Sequence, residues 1–141
     1  MTSAPVVTVA LCAALLAGCS PGTAGPPDLD ATEQPVADVT WRYWDAVADV
    51  RGSDDPVDPA AFAALATSGW TTSLTRQDRG APRSVLAAAD STDVRLMTVD
   101  VDGDHATSRV CLDGDHVEEL RLVREAGRWL VAGDSPRGDC D

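Results

Sequence analysis

The chain reads as an α+β domain, helices first and then a four-stranded antiparallel meander. Three observations predict it. Between Val36 and Val50 apolar residues recur at steps of three and four, which is one face of a helix. From Asp93 the pattern changes to four strand-like runs, DVRLMTVDV, HATSRVCL, HVEELRLV and RWLVAG. Between these runs stand Asp-Gly, Asp-Gly and Ala-Gly. Asp-Gly between apolar runs is a strong hairpin signal, because such turns need positive φ. A sheet with one apolar face then needs helices to cover it.

The N-terminal stretch comes before any of this. The first 18 residues carry no charged side chain, and Val6 to Leu16 is an apolar run of 11 residues. A membrane-spanning helix needs about 20, so the run is too short to span and matches the apolar stretch of an export signal. Leu16-Ala17-Gly18-Cys19 follows directly, and it resembles the lipobox of bacterial lipoproteins. The resemblance implies that residues 1–18 are a signal peptide. Small residues at Ala17 and Gly18 would enter the peptidase site. The Cys19 thiol would take the diacylglycerol, with fatty acyl chains of the palmitate kind holding the mature protein to the outer face of the cytoplasmic membrane. No Lys or Arg precedes the apolar run, so either the free amino terminus supplies the only positive charge or translation starts elsewhere.

Ser20 to Gln34 contains three Pro and two Gly and almost no bulky apolar residue. Such a segment cannot bury a core, so residues 19–34 read as the lipidated cysteine and a flexible tether reaching about 20 Å. The domain is expected over 35–141. Its first helix presents Val36, Val39, Tyr43, Val47 and Val50, widened by Trp44, while Asp38, Arg42, Asp45 and Asp49 point away and Gly52 ends it. A second helix opens at DPAAFAALA, with Asp58 as cap and Pro59 in the first position. Gly69 is expected to end that helix and Trp70 to fold back on it. Within 71–89 the run RSVLAAAD suits a short helix or an early strand.

The strand region contains DGDH twice, at Asp102–His105 and Asp113–His116. Two acids and a histidine, repeated, suggest a metal site. Successive hairpins turn at opposite ends of a sheet, however. A strand of about eight residues at roughly 3.3 Å each puts the turns about 26 Å apart, too far to share an ion. A calcium loop would need Gly sixth and Glu twelfth. Counting from Asp100, Gly103 comes fourth and Cys111 twelfth. The repeats therefore read as turns, with His105 and His116 facing solvent or packed singly. No metal and no cofactor is expected.

The cysteines divide simply. Cys12 leaves with the signal and Cys19 is acylated, which leaves Cys111 and Cys140 in an oxidising compartment as a pair. A disulfide is expected. Its rivals are two free thiols or a metal site, and two cysteines without CxxC spacing make a poor metal site. The balance of 23 acidic against 11 basic residues, net −12, argues against nucleic acid and anionic lipid as partners.

The order of elements, with VTWRYWDAV on the first helix and AGRWLVAGD on the last strand, resembles the nuclear transport factor 2-like fold. Small exported lipoproteins of actinobacteria look like this. The resemblance implies a curved four-stranded sheet wrapped around the helices as a cone. It also implies two kinds of use. Some members of that fold bind, whereas isomerase-like and dehydratase-like members place a Tyr of the first helix and an acid at the mouth of the cone. Tyr43 is the only tyrosine, and a buried structural hydroxyl is the plainer reading of it. Asp100 and Glu119 are the acids that such chemistry would draw on. No GxSxG nucleophile elbow and no GxGxxG loop is present. The leading expectation is a non-catalytic, membrane-anchored extracytoplasmic domain that binds an envelope protein or a small apolar ligand. The alternatives are an isomerase or dehydratase using Tyr43 and a buried carboxylate, and a calcium-responsive surface domain using the Asp-rich turns.

Overall fold

The computed structural model describes residues 27–51, 57–78 and 93–140. The N-terminal run expected to be a signal peptide, Cys19, and the RSVLAAAD run lie outside the described residues. Helix α1 spans Gln34–Arg51, α2 Pro59–Phe62 and α3 Ser68–Asp78. Strands β1 (Val94–Asp102), β2 (His105–Leu112), β3 (His116–Glu125) and β4 (Arg128–Pro136) follow. They form one open antiparallel sheet in the order β1-β2-β3-β4, so the expected α+β class and meander are present. Among the described residues no helix is long and apolar enough to cross a membrane.

Order begins earlier than the sequence suggests. Leu29 packs against the core, and the Asp30 carboxylate accepts hydrogen bonds from the Thr32 and Glu33 amides at 2.7 and 3.0 Å. Glu33 returns the favour by accepting from the Asp30 amide at 2.9 Å. This reciprocal pair is a capping box, so the tether expected up to Gln34 gives way to the domain before Pro35. Beyond it, α1 buries Val36, Ala37, Thr40, Tyr43, Trp44 and Val47 and exposes Asp38, Arg42, Asp45 and Asp49, as its periodicity predicts.

The second helix departs from expectation. Asp58 caps it through the Ala60 amide at 2.9 Å, but it ends at Phe62 rather than at Gly69. The next residues run beside β4: the Val131 amide donates to the Leu65 carbonyl at 2.8 Å, and the Thr67 amide to the Val131 carbonyl at 2.9 Å. Pairing with a strand satisfies this backbone better than another helical turn would. Thr67 Oγ1 then accepts from the Trp70 amide at 3.2 Å and opens α3, with Gly69 inside its first turn.

The three hairpins follow the turn chemistry of the sequence. Gly103 has φ 61° in a two-residue loop between Asp102 and His105, which pair. Asp113 and Gly114 are both positive, at 51° and 80°, and Ala126 and Gly127 at 48° and 78°. Among the described residues no group of three or more His, Cys, Asp or Glu gathers as a metal site.

Pairing register sorts the side chains. Ala106, Ser108, Val110 and Leu112 of β2, Leu120 and Leu122 of β3, and Trp129 and Val131 of β4 are buried on the helix side. Ser108 lies in this apolar layer because its hydroxyl meets Thr40 Oγ1 of α1 at 2.7 Å. The alternate residues face the other way. There the C-terminal segment straps the sheet: the Val117 amide donates to the Gly138 carbonyl at 2.7 Å and the Arg137 amide to the Val117 carbonyl at 2.8 Å. A Cys111–Cys140 disulfide, Cα–Cα 5.7 Å, locks it. Its loop spans a sequence separation of 29, for which chain entropy gives about 3.5 kcal/mol of stabilisation. Urea unfolding with and without reductant should show a loss of about that size; identical midpoints would show that the bridge contributes nothing to stability.

Candidate functional site

Tyr43 stands at the centre of the helix–sheet interface with no exposure to solvent. It meets Trp44 and Phe62 edge-on at 5.7 and 5.8 Å between ring centroids, the geometry that ring quadrupoles favour. Its hydroxyl accepts a hydrogen bond from Trp70 Nε1 at 3.0 Å. This is the partner a buried tyrosine needs, and it comes from the helix that the sequence left undefined. Trp44 Nε1 and Thr71 Oγ1 are buried without a hydrogen-bond partner among the described residues.

The acids named from the sequence lie elsewhere. Asp100 and Glu119 occupy alternate positions that turn them to the face away from the helices. Asp100 pairs with Thr107 and is exposed. Glu119 is buried but fully engaged: Oε2 accepts from Arg109 Nε at 2.8 Å, and Oε1 from Arg137 Nε and Nη2 at 3.0 and 2.6 Å. Burial pushes the Glu119 carboxyl up, and the two guanidinium groups outweigh it, holding it below the usual range. It fastens the C-terminal strap to the sheet. Neither acid can work with Tyr43, because side chains alternate across a strand.

Two other acids do share the helix side. Glu118 pairs with Pro136, and Leu120 with Asp134, so Glu118 and Asp134 are diagonal neighbours on one face, about 7–8 Å apart. Burial raises Asp134 to about 7, and the Glu118 charge adds to this, against smaller lowering by Arg121 and its own backbone amide. Burial also raises Glu118, with His116 opposing. Tyr43 is pushed up, first by burial and then by the Asp134 charge, with Trp70 opposing. The arrangement holds one carboxyl partly protonated near neutrality beside a phenol. The alternation of HVEELRLV showed that Glu118 and Glu119 point oppositely, but not which one faced inward. Asp134 was missed because the last apolar run stopped at Gly133.

The unfolded chain ionises Asp134 near its ordinary 3.8, whereas the folded chain does so near 7. The folded state therefore binds more protons between those values, and stability falls as pH rises through that window. Asp134→Asn should flatten the fall and stabilise the protein at pH 8 by up to about 4 kcal/mol. Chemical denaturation of both proteins from pH 4 to 8 checks this; parallel curves would mean that Asp134 titrates normally.

No family model matches the chain, and no curated protein matches it. Among solved structures, one from Mycobacterium tuberculosis, of a protein of unknown function, is similar at 21% identity. The match covers 75% of this chain and 70% of that one, with a TM-score of 0.44. A likeness at that level carries neither fold detail nor function to this chain.

Proposed function

We propose that this protein is an exported lipoprotein, anchored through Cys19 to the outer face of the cytoplasmic membrane. Its domain is of the nuclear transport factor 2-like kind, and it binds an envelope component or a small ligand without transforming it. The observation that carries the reading is the Cys111–Cys140 disulfide, a bond that persists in oxidising compartments and agrees with the apolar run and the LAGC sequence before it. Four strands beside packed helices support the fold assignment. The complete burial of Tyr43 supports binding over catalysis, since an oxyanion donor must reach substrate. Cys19→Ala should move the protein from the membrane fraction to the soluble one and remove the acyl mass from its N-terminus. Unchanged fractionation of that variant in the native host would overturn the anchor.

One observation favours a second reading, a small isomerase or dehydratase. Asp134 is poised to exchange a proton near neutrality, in electrostatic contact with Tyr43, which is how such enzymes divide the work of base and oxyanion donor. In deuterated water this reading requires deuterium exchange into an enolisable ketone, abolished by Asp134→Asn. Exchange at the buffer rate with wild-type protein removes it.

A further inference from the structure

We propose that Glu118 and Asp134 form a binding site for a small organic amine, whose ammonium group sits between the two carboxylates on the helix side of the sheet. The inference rests on the binding reading above and names a ligand class for it. The observation that carries it is a buried acid without a partner. Glu118 is only 7% exposed, yet among the described residues its carboxylate makes no hydrogen bond and no ion pair at contact distance. Buried charges in folded proteins are ordinarily paired, and the next residue shows how this chain does it: Glu119 is met by Arg109 and Arg137. Asp134 repeats the condition of Glu118. No described side chain bonds to it, and it reaches only its own backbone amide. Half-buried rather than buried, it leaves the pair a way in from solvent.

Register brings the two acids together and lines the space around them. Glu118 pairs with Val110 on one side and Pro136 on the other, and Asp134 pairs with Leu120. Each acid lies within the other's field, and Tyr43 of α1, bonded to Trp70 of α3, feels both. The cations nearby are committed elsewhere. His116 Nδ1 meets Asp115 Oδ1 at 2.9 Å, and the Arg121 guanidinium lies over Gly133 on the opposite face. Both pull on the acids from a distance, and neither makes contact with them. An anion would be repelled here. A metal ion would want more ligands, and among the described residues no third acid, His or Cys joins the pair. An ammonium group carries one charge and three donors and needs no fixed coordination number. Diagonal neighbours about 7–8 Å apart let it reach both carboxylates at about 2.8 Å, while its carbon body lies against Val110, Leu120 and Pro136. Proton and amine then compete for Asp134, which is neutral below about 7, so the site strengthens as pH rises.

The test uses the full chain, isotope-labelled and purified in detergent micelles, with amide and carboxyl spectra recorded against methylamine, butylamine and benzylamine at pH 8. At least one should move the Glu118 and Asp134 carboxyl signals and the amides around them in a saturable way. The matching alcohol should bind about tenfold more weakly or worse, since the charge-assisted contacts are lost. The amines stay charged at pH 5, where Asp134 is protonated, so their affinity there should also fall by about tenfold or more. Glu118→Gln and, separately, Asp134→Asn should weaken binding by a similar factor while leaving the rest of the spectrum in place. Asp100→Asn with Asp102→Asn, on the other face, should leave it unchanged, which separates the site from the general pull of an acidic surface. No saturable shift with any of the three amines, shifts centred elsewhere, equal binding of the alcohols, or equal affinity at pH 5 and pH 8 overturns the proposal. Saturable binding of an alcohol alone would leave the binding reading standing without the amine, and the fractionation of Cys19→Ala is read independently of both.

Discussion

Pairing register is the constraint on which the rest of this structure depends. Side chains alternate from face to face along a strand, so a slip of one residue would exchange every buried group for an exposed one. Such a slip in β3 would carry Leu120 and Leu122 into solvent and Glu119 into the apolar layer under α1. The tight turns prevent it. Each of the three connections contains a glycine at positive φ, and a two- or three-residue loop leaves no slack to absorb a shift. The repeated DGDH is therefore a device of geometry. Its acids accompany glycines that bend the chain, and the histidine after each opens the next strand.

From register follow two faces with different chemistry. The inner face is apolar except at chosen points. Ser108 is tolerated because Thr40 meets it, and one hydrogen bond between hydroxyls fixes where α1 lies along β2. Tyr43 is tolerated because Trp70 meets it. Glu118 and Asp134, at the end of the same face, make no ion pair at contact distance among the described residues, and burial makes them resist ionisation against the weaker pull of His116 and Arg121. The outer face treats its buried acid in the opposite manner: Glu119 keeps its charge because Arg109 and Arg137 surround it. Adjacent residues of one strand thus carry shifts of opposite sign, and the difference comes from the face each one meets.

Much of this was legible in the sequence. Period and turn chemistry located all four strands, the first helix and the Asp58 cap, since these depend on neighbours in the chain. The cysteine pairing followed from elimination. The capping box was legible too, as Asp30 and Glu33 three residues apart before an apolar run, but the surrounding prolines and glycines made the segment read as a linker. The interruption of the second helix was not legible. Ala63 to Ala66 has good helical propensity, and only the backbone of Val131, far along the chain, accounts for the helix giving way to a turn and a bridge there. The acids facing Tyr43 were equally hidden, because alternation says that Glu118 and Glu119 differ and tertiary packing decides which is inside.

The strap that ends in Cys140 has a mechanical consequence. A chain pulled from its two ends carries tension through whatever links them. Force entering at the C-terminus would pass through the cystine to Cys111 and bypass β3 and β4. The links of the closed loop, 29 residues in separation, would otherwise extend by about 100 Å. That length stays hidden, so only the chain ahead of the bridge can unravel under tension.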